Sequence, residues 1–357
     1  MRASHPPLDG TSHPSVDVNL FVHNGETTVA AAIESVLAQT WPSLRLTLID
    51  NCSTDATPRI LAHYAAASAT GPVPVTVLRN RANVGPVLNC QRAFWAGTAD
   101  FVMPKTADDL LAPDTVARLM HTLLEHPDTA MCHAGGLVFT GAGEVRAVYP
   151  PEHRLCATGD DPVARAAHVM ARYTSAPSFW GIYRRTHTDK LRRISYRAGW
   201  DHAVLAELAL YGEIRSVPEV LYWRRDGGKP VDALARGCTE FAQRNLPLDD
   251  DLAELRWRTP LITTAYNHIE TFAAARVDAA TRRHLMAETP RIFRTRWLPL
   301  LRREAAAFRA LLPPDTEDPW QTQQLTDAIC AITTILPDED FSDTLLHLAL
   351  HRAPVPA

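Results

Sequence analysis

The stretch VDVNLFVHNGETTVAAAIESVLAQTWPSLRLTLIDNCSTD, Val16–Asp55, decides the fold. Its opening run is apolar and stops at His23 and Asn24, as a buried strand stops at its C-terminal edge. The segment ETTVAAAIESVLAQT then carries Val29, Ile33, Val36 and Leu37 at helical spacing, with Thr27 or Thr28 available as a cap. LRLTLID is a second strand, ending on Asp50, and STDATPRILAHYAAA starts the next helix with a Ser/Thr/Asp cap signature. Working outward, VPVTVLRN, ADFVMP and TAMCHAGGLVFTG read as strands. VGPVLNCQRAFWAGT and APDTVARLMHTLLEHP read as helices, the latter with Pro113 near its first turn. Strands alternating with helices predict an α/β fold, Rossmann-like, with a doubly wound and mostly parallel sheet. In such sheets ligands bind outside the carboxyl ends of the strands. The residues to inspect are therefore His23-Asn24, Asp50-Asn51 and Asp108-Asp109.

The composition agrees. The chain has 357 residues, enough for two domains or one large one, and 46% are hydrophobic, so a sizeable core is available. With 36 basic and 40 acidic residues the formal charge is −4, which argues against a nucleic-acid binder relying on bulk charge. No apolar run reaches the length of a membrane span. MRASHPPLDGTSHPSVD has no apolar signal segment and is expected to be a flexible leader over residues 1–15. Cys52, Cys90, Cys132, Cys156, Cys238 and Cys330 are scattered. Disulfides and a Cys-based zinc site are not expected, and a cytoplasmic location fits best, a peripheral position at the inner membrane face remaining open.

After about residue 150 the pattern changes. TSAPSFWGIYRR reads as a loop and strand rich in aromatics, WDHAVLAELALYG as a helix ending at Gly212, and EIRSVPEVLYWRRDGG as a strand running into a Gly-rich loop. From about Pro230 the chain is rich in Ala, Leu and Arg with helical periodicity. The expected organisation is an α/β domain over 16–229 and an appended helical region over 230–357, for acceptor binding or for contacts in a homodimer.

The segment FVMPKTADDLLAPD, Phe101–Asp114, puts two adjacent acids after an apolar run. Carboxylates at a strand end are costly to desolvate unless something cationic meets them. A divalent cation would relieve the repulsion between Asp108 and Asp109. The competing reading makes the pair a helix cap and first-turn acids. There is no GxxxxGK[ST] phosphate loop, no Gly-rich dinucleotide pattern after the first strand and no HExxH pair.

Three blocks in order carry a resemblance. NLFVHNGETTVAAAIESVLAQTWPSLRLTLIDNCSTDAT, NVGPVLNCQRAFWAGTADFVMPKTADDLLAPD and GWDHAVLAELALYGEIRSVPEVLYWRR resemble the core blocks of the inverting family 2 glycosyltransferases with the GT-A fold, over roughly residues 16 to 225. The resemblance implies a nucleotide-sugar donor, UDP- or dTDP-linked, and a carbohydrate or natural-product acceptor. On the donor side it implies Phe21, His23, Asp50, Asn83, Asp108 and Arg225. Asp50 would accept from the base N3–H, or else cap the next turn through Ser53 or Thr54. His23 would contact the base or merely pack. Asp109, with Asp108, would hold Mg²⁺ or Mn²⁺, a Lewis acid for the departing diphosphate.

Asp201 would be the general base that deprotonates the acceptor hydroxyl. It stands where a helix cap would, and the two roles are compatible. Trp180, Trp200 and His202 would shape the acceptor pocket, core packing being the alternative for Trp180. Two departures stand out: Thr106 replaces the first acid of the metal block, preceded by Lys105, and Gly227 replaces a His. Metal dependence is then expected to be partial, with Lys105 offsetting diphosphate charge if it faces the cleft. Gly227 and Gly228 suggest a mobile loop, with Arg224, Arg225 or Lys229 reaching phosphate. The alternative is a catalytically silent or repurposed member that binds a nucleotide or a partner without transferring a sugar. A nucleotidyltransferase on a related sheet fits poorly, because HNGETT is not a phosphate-cradling loop.

Overall fold

The computed structural model describes residues 13–172, 176–192, 199–226, 260–310, 319–342 and 344. Apolar runs and amphipathic segments alternate as the sequence predicts: β1 (Val16–Val22), α1 (Val29–Leu37), β2 (Leu44–Asp50), α2 (Thr57–Ala67), β3 (Val75–Arg79), α3 (Gly85–Trp95), β4 (Phe101–Thr106), β5 (Leu110–Leu111), α4 (Thr115–Glu125) and β6 (Thr129–Phe139). There follow β7 (Val145–Val148), α5 (Pro162–Arg172), β8 (Gly181–Arg184), α6 (Arg185–Thr188), α7 (Trp200–Tyr211) and β9 (Glu213–Arg225). Three further helices are α8 (Pro260–Ala274), α9 (Ala279–Ala310) and α10 (Pro319–Ile335).

The strand order is β3-β2-β1-β4-β8-β6-β9-β5, with β7 paired to β6. The half from β3 to β4 is wholly parallel. Beyond it the sheet is mixed: β8 runs antiparallel to β4 and β6, whereas β6 and β9 are parallel. The chain winds outward from β1 to β3, then crosses back to place β4 on the other side of β1. That reversal creates a switch point, where a crevice opens beyond the strand ends. Register puts the relevant residues on one rim, since Val22 pairs with Asp50, Asp50 with Arg79, and Phe21 with Thr106.

Both faces of the sheet are covered, so β1 is buried along its length and its two polar side chains are partnered, Asp17 by Arg45 and Arg185 and Asn19 by the carbonyls of Ala93 and Ala96. Val18, Leu20, Ile33, Leu46, Leu61, Met103 and Leu119 share one cluster. The other contains Phe94, Tyr183 and Leu205 together with Ile262, Phe272, Phe293, Phe308 and Ile332 from the C-terminal helices. The sheet and α8–α10 thus bury one continuous apolar mass. α7 lies between them and is buried on nearly every residue from His202 to Leu210, as a helix with no polar face must be. Gly181 admits β8 between its neighbours, because a Cβ there would press on the Cys132 carbonyl of β6.

Some elements are not announced by the sequence pattern: β5 is two residues long, β7 is exposed at all four positions, and α5 spans eleven residues in a stretch with no assigned helix. No helix among the described residues is long and apolar enough to cross a membrane. The leader up to residue 12, Gly227–Lys229 and the start of the predicted helical tail lie outside the described residues.

Candidate active site

The loops after β1 and β2 are laced together at the rim. Asn24 N–H donates to Ser53 Oγ at 2.9 Å, Thr54 N–H to Asn24 Oδ1 at 2.9 Å, and Gly25 N–H to Thr57 Oγ1 at 2.9 Å. Asn24 and Cys52 both take left-handed backbone, at φ 50° and 61°. For a Cys this is an uncommon conformation, and such strain concentrates at functional sites.

Asp50 is 1% exposed. One carboxylate oxygen accepts Ser53 N–H at 2.9 Å, and the other accepts from the half-exposed Arg79 at 2.7 Å. The capping reading of Asp50 is therefore realised through Ser53, and Arg79 is a partner the sequence did not suggest. Beside it, His23 Nδ1 lies 3.0 Å from the Asn51 carbonyl and Nε2 lies 3.1 Å from Asn83 Nδ2. Asn83 Oδ1 accepts from Asn51 Nδ2 at 2.7 Å and from Gly85 N–H at 2.9 Å, so its amide cannot turn over without losing both. That orientation leaves His23 Nε2 as an acceptor and puts the proton on Nδ1. Asn51 in turn is gripped by Asn80, whose amide also reaches the buried Asn89.

At the end of β4, Asp108 is exposed and Asp109 is 6% exposed. Neither caps α4. Gln39 Oε1 accepts Val116 N–H at 2.9 Å and does that work. Thr28 likewise does not cap α1; its hydroxyl donates to Asp108 Oδ1 at 3.0 Å. Asp109 has both oxygens engaged: Oδ2 by Thr106 Oγ1 at 2.7 Å and by the Tyr222 hydroxyl, Oδ1 by Arg225 N–H at 2.9 Å. Arg225 Nε returns to the Asp108 carbonyl at 3.0 Å, and its guanidinium stacks 4.7 Å from the Phe139 ring centroid.

Lys105 does not face the cleft. It is fully buried, and its ammonium donates to the carbonyls of Thr106 and Asp109. Burial pulls its pKa down to about 8, against the pull of the Asp109 and Asp108 carboxylates. The expectation that it offsets diphosphate charge is corrected accordingly; it tethers the acidic turn from within.

Asp201 lies half-buried in the first turn of α7, just after Gly199, whose φ is 68°. It faces the sheet side of the helix. Burial first, and the Asp201 carboxylate after it, push the Cys90 thiol well up; burial, Cys90 and Asp201 do the same to the Tyr183 hydroxyl. Trp200 packs edge-on to Phe179 with ring centroids 5.1 Å apart. Phe179 meets Trp180 at 5.0 Å, and Trp180 meets Phe21 at 6.0 Å. An unbroken row of rings thus connects the end of β1 with the start of α7. His202 is not part of it. It is 7% exposed and its Nδ1 lies 2.6 Å from His268 Nε2 on α8. Burial holds both rings neutral, His202 down at about 3. The expected acceptor role of His202 gives way to packing between α7 and the C-terminal helices, because the position after Asp201 lies about 100° further round the helix.

Phe21, His23, Asp50, Asn83, Asp108, Asp109 and Arg225 therefore gather at one rim, with Trp180 and Trp200 leading to Asp201. Sequence reasoning named Asn51 among the strand-end residues and Thr28 only as a cap, and it missed Arg79 and Tyr222; of these two only Arg79 had a signal, standing at a strand end. No group of three or more His, Cys, Asp or Glu side chains able to hold a metal occurs among the described residues. Asp108 is exposed and fits a hard cation shared with phosphate oxygens, the usual arrangement for Mg²⁺. Asp109 does not fit a direct ligand, since three protein donors occupy it.

Residues 18–181 match the family described as Glycosyl transferase family 2. EpsE of Bacillus subtilis (strain 168), assigned as a glycosyltransferase, is 30% identical over 132 residues, covering 37% of this chain and 46% of that protein. The uncharacterized glycosyltransferase YibD of Escherichia coli (strain K12) is 29% identical over 198 residues, 55% of each chain. The chain spans about half the length of these curated relatives. In structure it is similar to residues 1–349 of TarS from S. aureus, solved in complex with UDP: the TM-score is 0.55 with 16% identity, covering 94% of this chain and 86% of that one. The likeness concerns the fold. With the rim geometry and the family match taken together, residues 18–181 are similar to the family 2 glycosyltransferases, and the α/β domain has the GT-A fold.

Proposed function

We propose that the chain transfers a sugar from a nucleoside-diphosphate sugar to an acceptor hydroxyl with inversion at the anomeric carbon. The observation that carries this reading is the convergence at the β1–β4 switch point. His23, Asn83 and the Asp50–Arg79 pair lie on one side, Asp108 and Arg225 lie in the middle, and Asp201 lies at the far end of the aromatic row. His23 offers a ring face, and Asn83 its second amide N–H, to a base above Asp50. Uracil or thymine fits, because an N3–H can find an unused lone pair on that carboxylate. TarS, of the same fold, was solved with UDP.

Asp108 and Arg225 meet the ribose and diphosphate. A divalent cation, when bound, neutralises the departing diphosphate, and Asp108 is the residue that would hold it. The acceptor oxygen attacks the anomeric carbon from the face opposite the diphosphate. Asp201 takes the proton from that oxygen as the new bond forms and the bond to the diphosphate breaks. Trp180 and Trp200 provide faces on which an acceptor sugar can stack. The acceptor is a carbohydrate or a natural product, met partly by the C-terminal helices, in a cytoplasmic or membrane-peripheral setting.

The exchange Asp201→Asn tests this. Transfer, or slow hydrolysis of the donor, should fall by about 10²–10⁴-fold while nucleotide affinity stays within twofold of wild type, measured by isothermal titration. Equal turnover in the variant overturns the assignment of the base. The occupied state of Asp109 favours a second reading, a nucleotide binder without transfer. Its mark is donor binding with no nucleoside diphosphate released under any acceptor.

A further inference from the structure

We propose that Tyr222 is a positioning residue, which commits Asp109 to anchoring Arg225 and withholds it from a metal ion. This rests on the donor-binding reading above.

Tyr222 is 1% exposed, and its hydroxyl donates to Asp109 Oδ2 while lying 3.3 Å from Thr106 Oγ1. Pairing of β5 with β9 sets Leu111 opposite Tyr222 and Leu110 opposite Trp223, so the ring is delivered under the acidic turn by strand register. Thr106 donates to the same carboxylate oxygen. The other oxygen takes the Arg225 N–H, at the last residue of β9, and the Arg225 side chain closes the ring of contacts on the Asp108 carbonyl. Lys105 holds the carbonyls of the same turn from below.

The consequence is geometric. With Nε on Asp108 and the guanidinium plane on Phe139, the two terminal nitrogens of Arg225 have no hydrogen-bond partner among the described residues. They are left beside the exposed carboxylate for an anion, and guanidinium suits phosphate oxygens. A carboxylate that already accepts from a phenol, an alcohol and an amide, with about one of its four lone-pair sites left, makes a poor cation ligand. The chain thus reads diphosphate with a fixed arginine, at the place where two acids would otherwise share a metal.

The exchange Tyr222→Phe keeps the ring and removes the hydroxyl. Two readouts are needed: affinity for UDP, dTDP and GDP by isothermal titration in chelator, and Mn²⁺ binding to nucleotide-free protein by electron paramagnetic resonance. Losing a hydrogen bond to a charged group should weaken the best of the three nucleotides about tenfold in chelator. Mn²⁺ should bind the variant several-fold more tightly than wild type, because Asp109 Oδ2 is released. Thr106→Val removes the second donor to that oxygen and should move both readouts the same way; it also carries the test if Tyr222→Phe folds poorly. Unchanged Mn²⁺ affinity in both variants overturns the inference, with or without a loss of nucleotide affinity, since a purely structural role would not improve metal binding. Wild-type protein that binds none of the three nucleotides refutes the donor-binding reading, and the Mn²⁺ readout then still decides the state of Asp109.

Discussion

Replacing Lys105 with Met removes a fully buried ammonium from beneath the acidic turn. Its pKa stands at about 8 instead of 10.5, with burial as the leading cause. At about 1.4 kcal/mol per pH unit, the charged form is disfavoured in the folded protein by about 3 kcal/mol relative to the unfolded chain. Below pH 8 both states hold the proton and that cost is present in full. Between pH 8 and 10.5 the unfolded chain keeps a proton that the folded one has shed. Stability of the wild type should therefore rise relative to the variant across this window, by about 3 kcal/mol. The neutral amine still donates to the carbonyls of Thr106 and Asp109, so no hydrogen bond is lost as the charge goes. Urea unfolding of both proteins, from about pH 7 to 10.5, reads the difference directly, and titrations common to the two cancel. A difference that stays flat within about 1 kcal/mol would mean that Lys105 is hydrated and keeps an ordinary pKa in the folded protein, and the burial argument would be wrong.

Two further perturbations probe the frame around the site. Glu207, buried on α7, accepts from Tyr211 at 3.0 Å, and burial lifts its carboxyl to about 7 from 4.5. Its stabilising effect is complete below pH 4.5 and lost as pH rises through 7, so Glu207→Gln should gain about 3 kcal/mol on wild type between those limits; a parallel pair of stability curves refutes this. Gly181→Ala forces a methyl group onto the Cys132 carbonyl and should separate β8 from β6, lowering the unfolding free energy by about 2 kcal/mol or more in urea melts. A melt unchanged from wild type would show that the strands can spread without cost.

The strand ends were legible because burial on both faces of a parallel sheet leaves an apolar run that stops abruptly, and the run from Val16 to Val22 stops at His23. The same logic found Asp50 and Asp108. It could not find Tyr222, which is one aromatic in an aromatic-rich strand; its meaning comes from pairing with a two-residue β5 that no periodicity announces. Nor could spacing tell Asp108 from Asp109. The two differ by which face of a turn each occupies, and that is set by Lys105 and Thr106 at the end of β4 and by β9, more than 100 residues on. His202 was misplaced for a related reason: adjacency to Asp201 in sequence is a turn of about 100° on a helix. The antiparallel insertion of β8 and the exposed β7 hairpin left no apolar pattern to read.

The helices α8–α10 share their apolar contacts with α7 and with the rear of the sheet instead of forming a separate body. The C-terminal part of such a molecule cannot be exchanged by grafting a tail from a relative onto residue 230. Any exchange of the C-terminal part must carry with it the matching surface of α7, including the His202–His268 pair, or the chimera inherits a seam of mismatched hydrophobic side chains directly behind its proposed catalytic carboxylate.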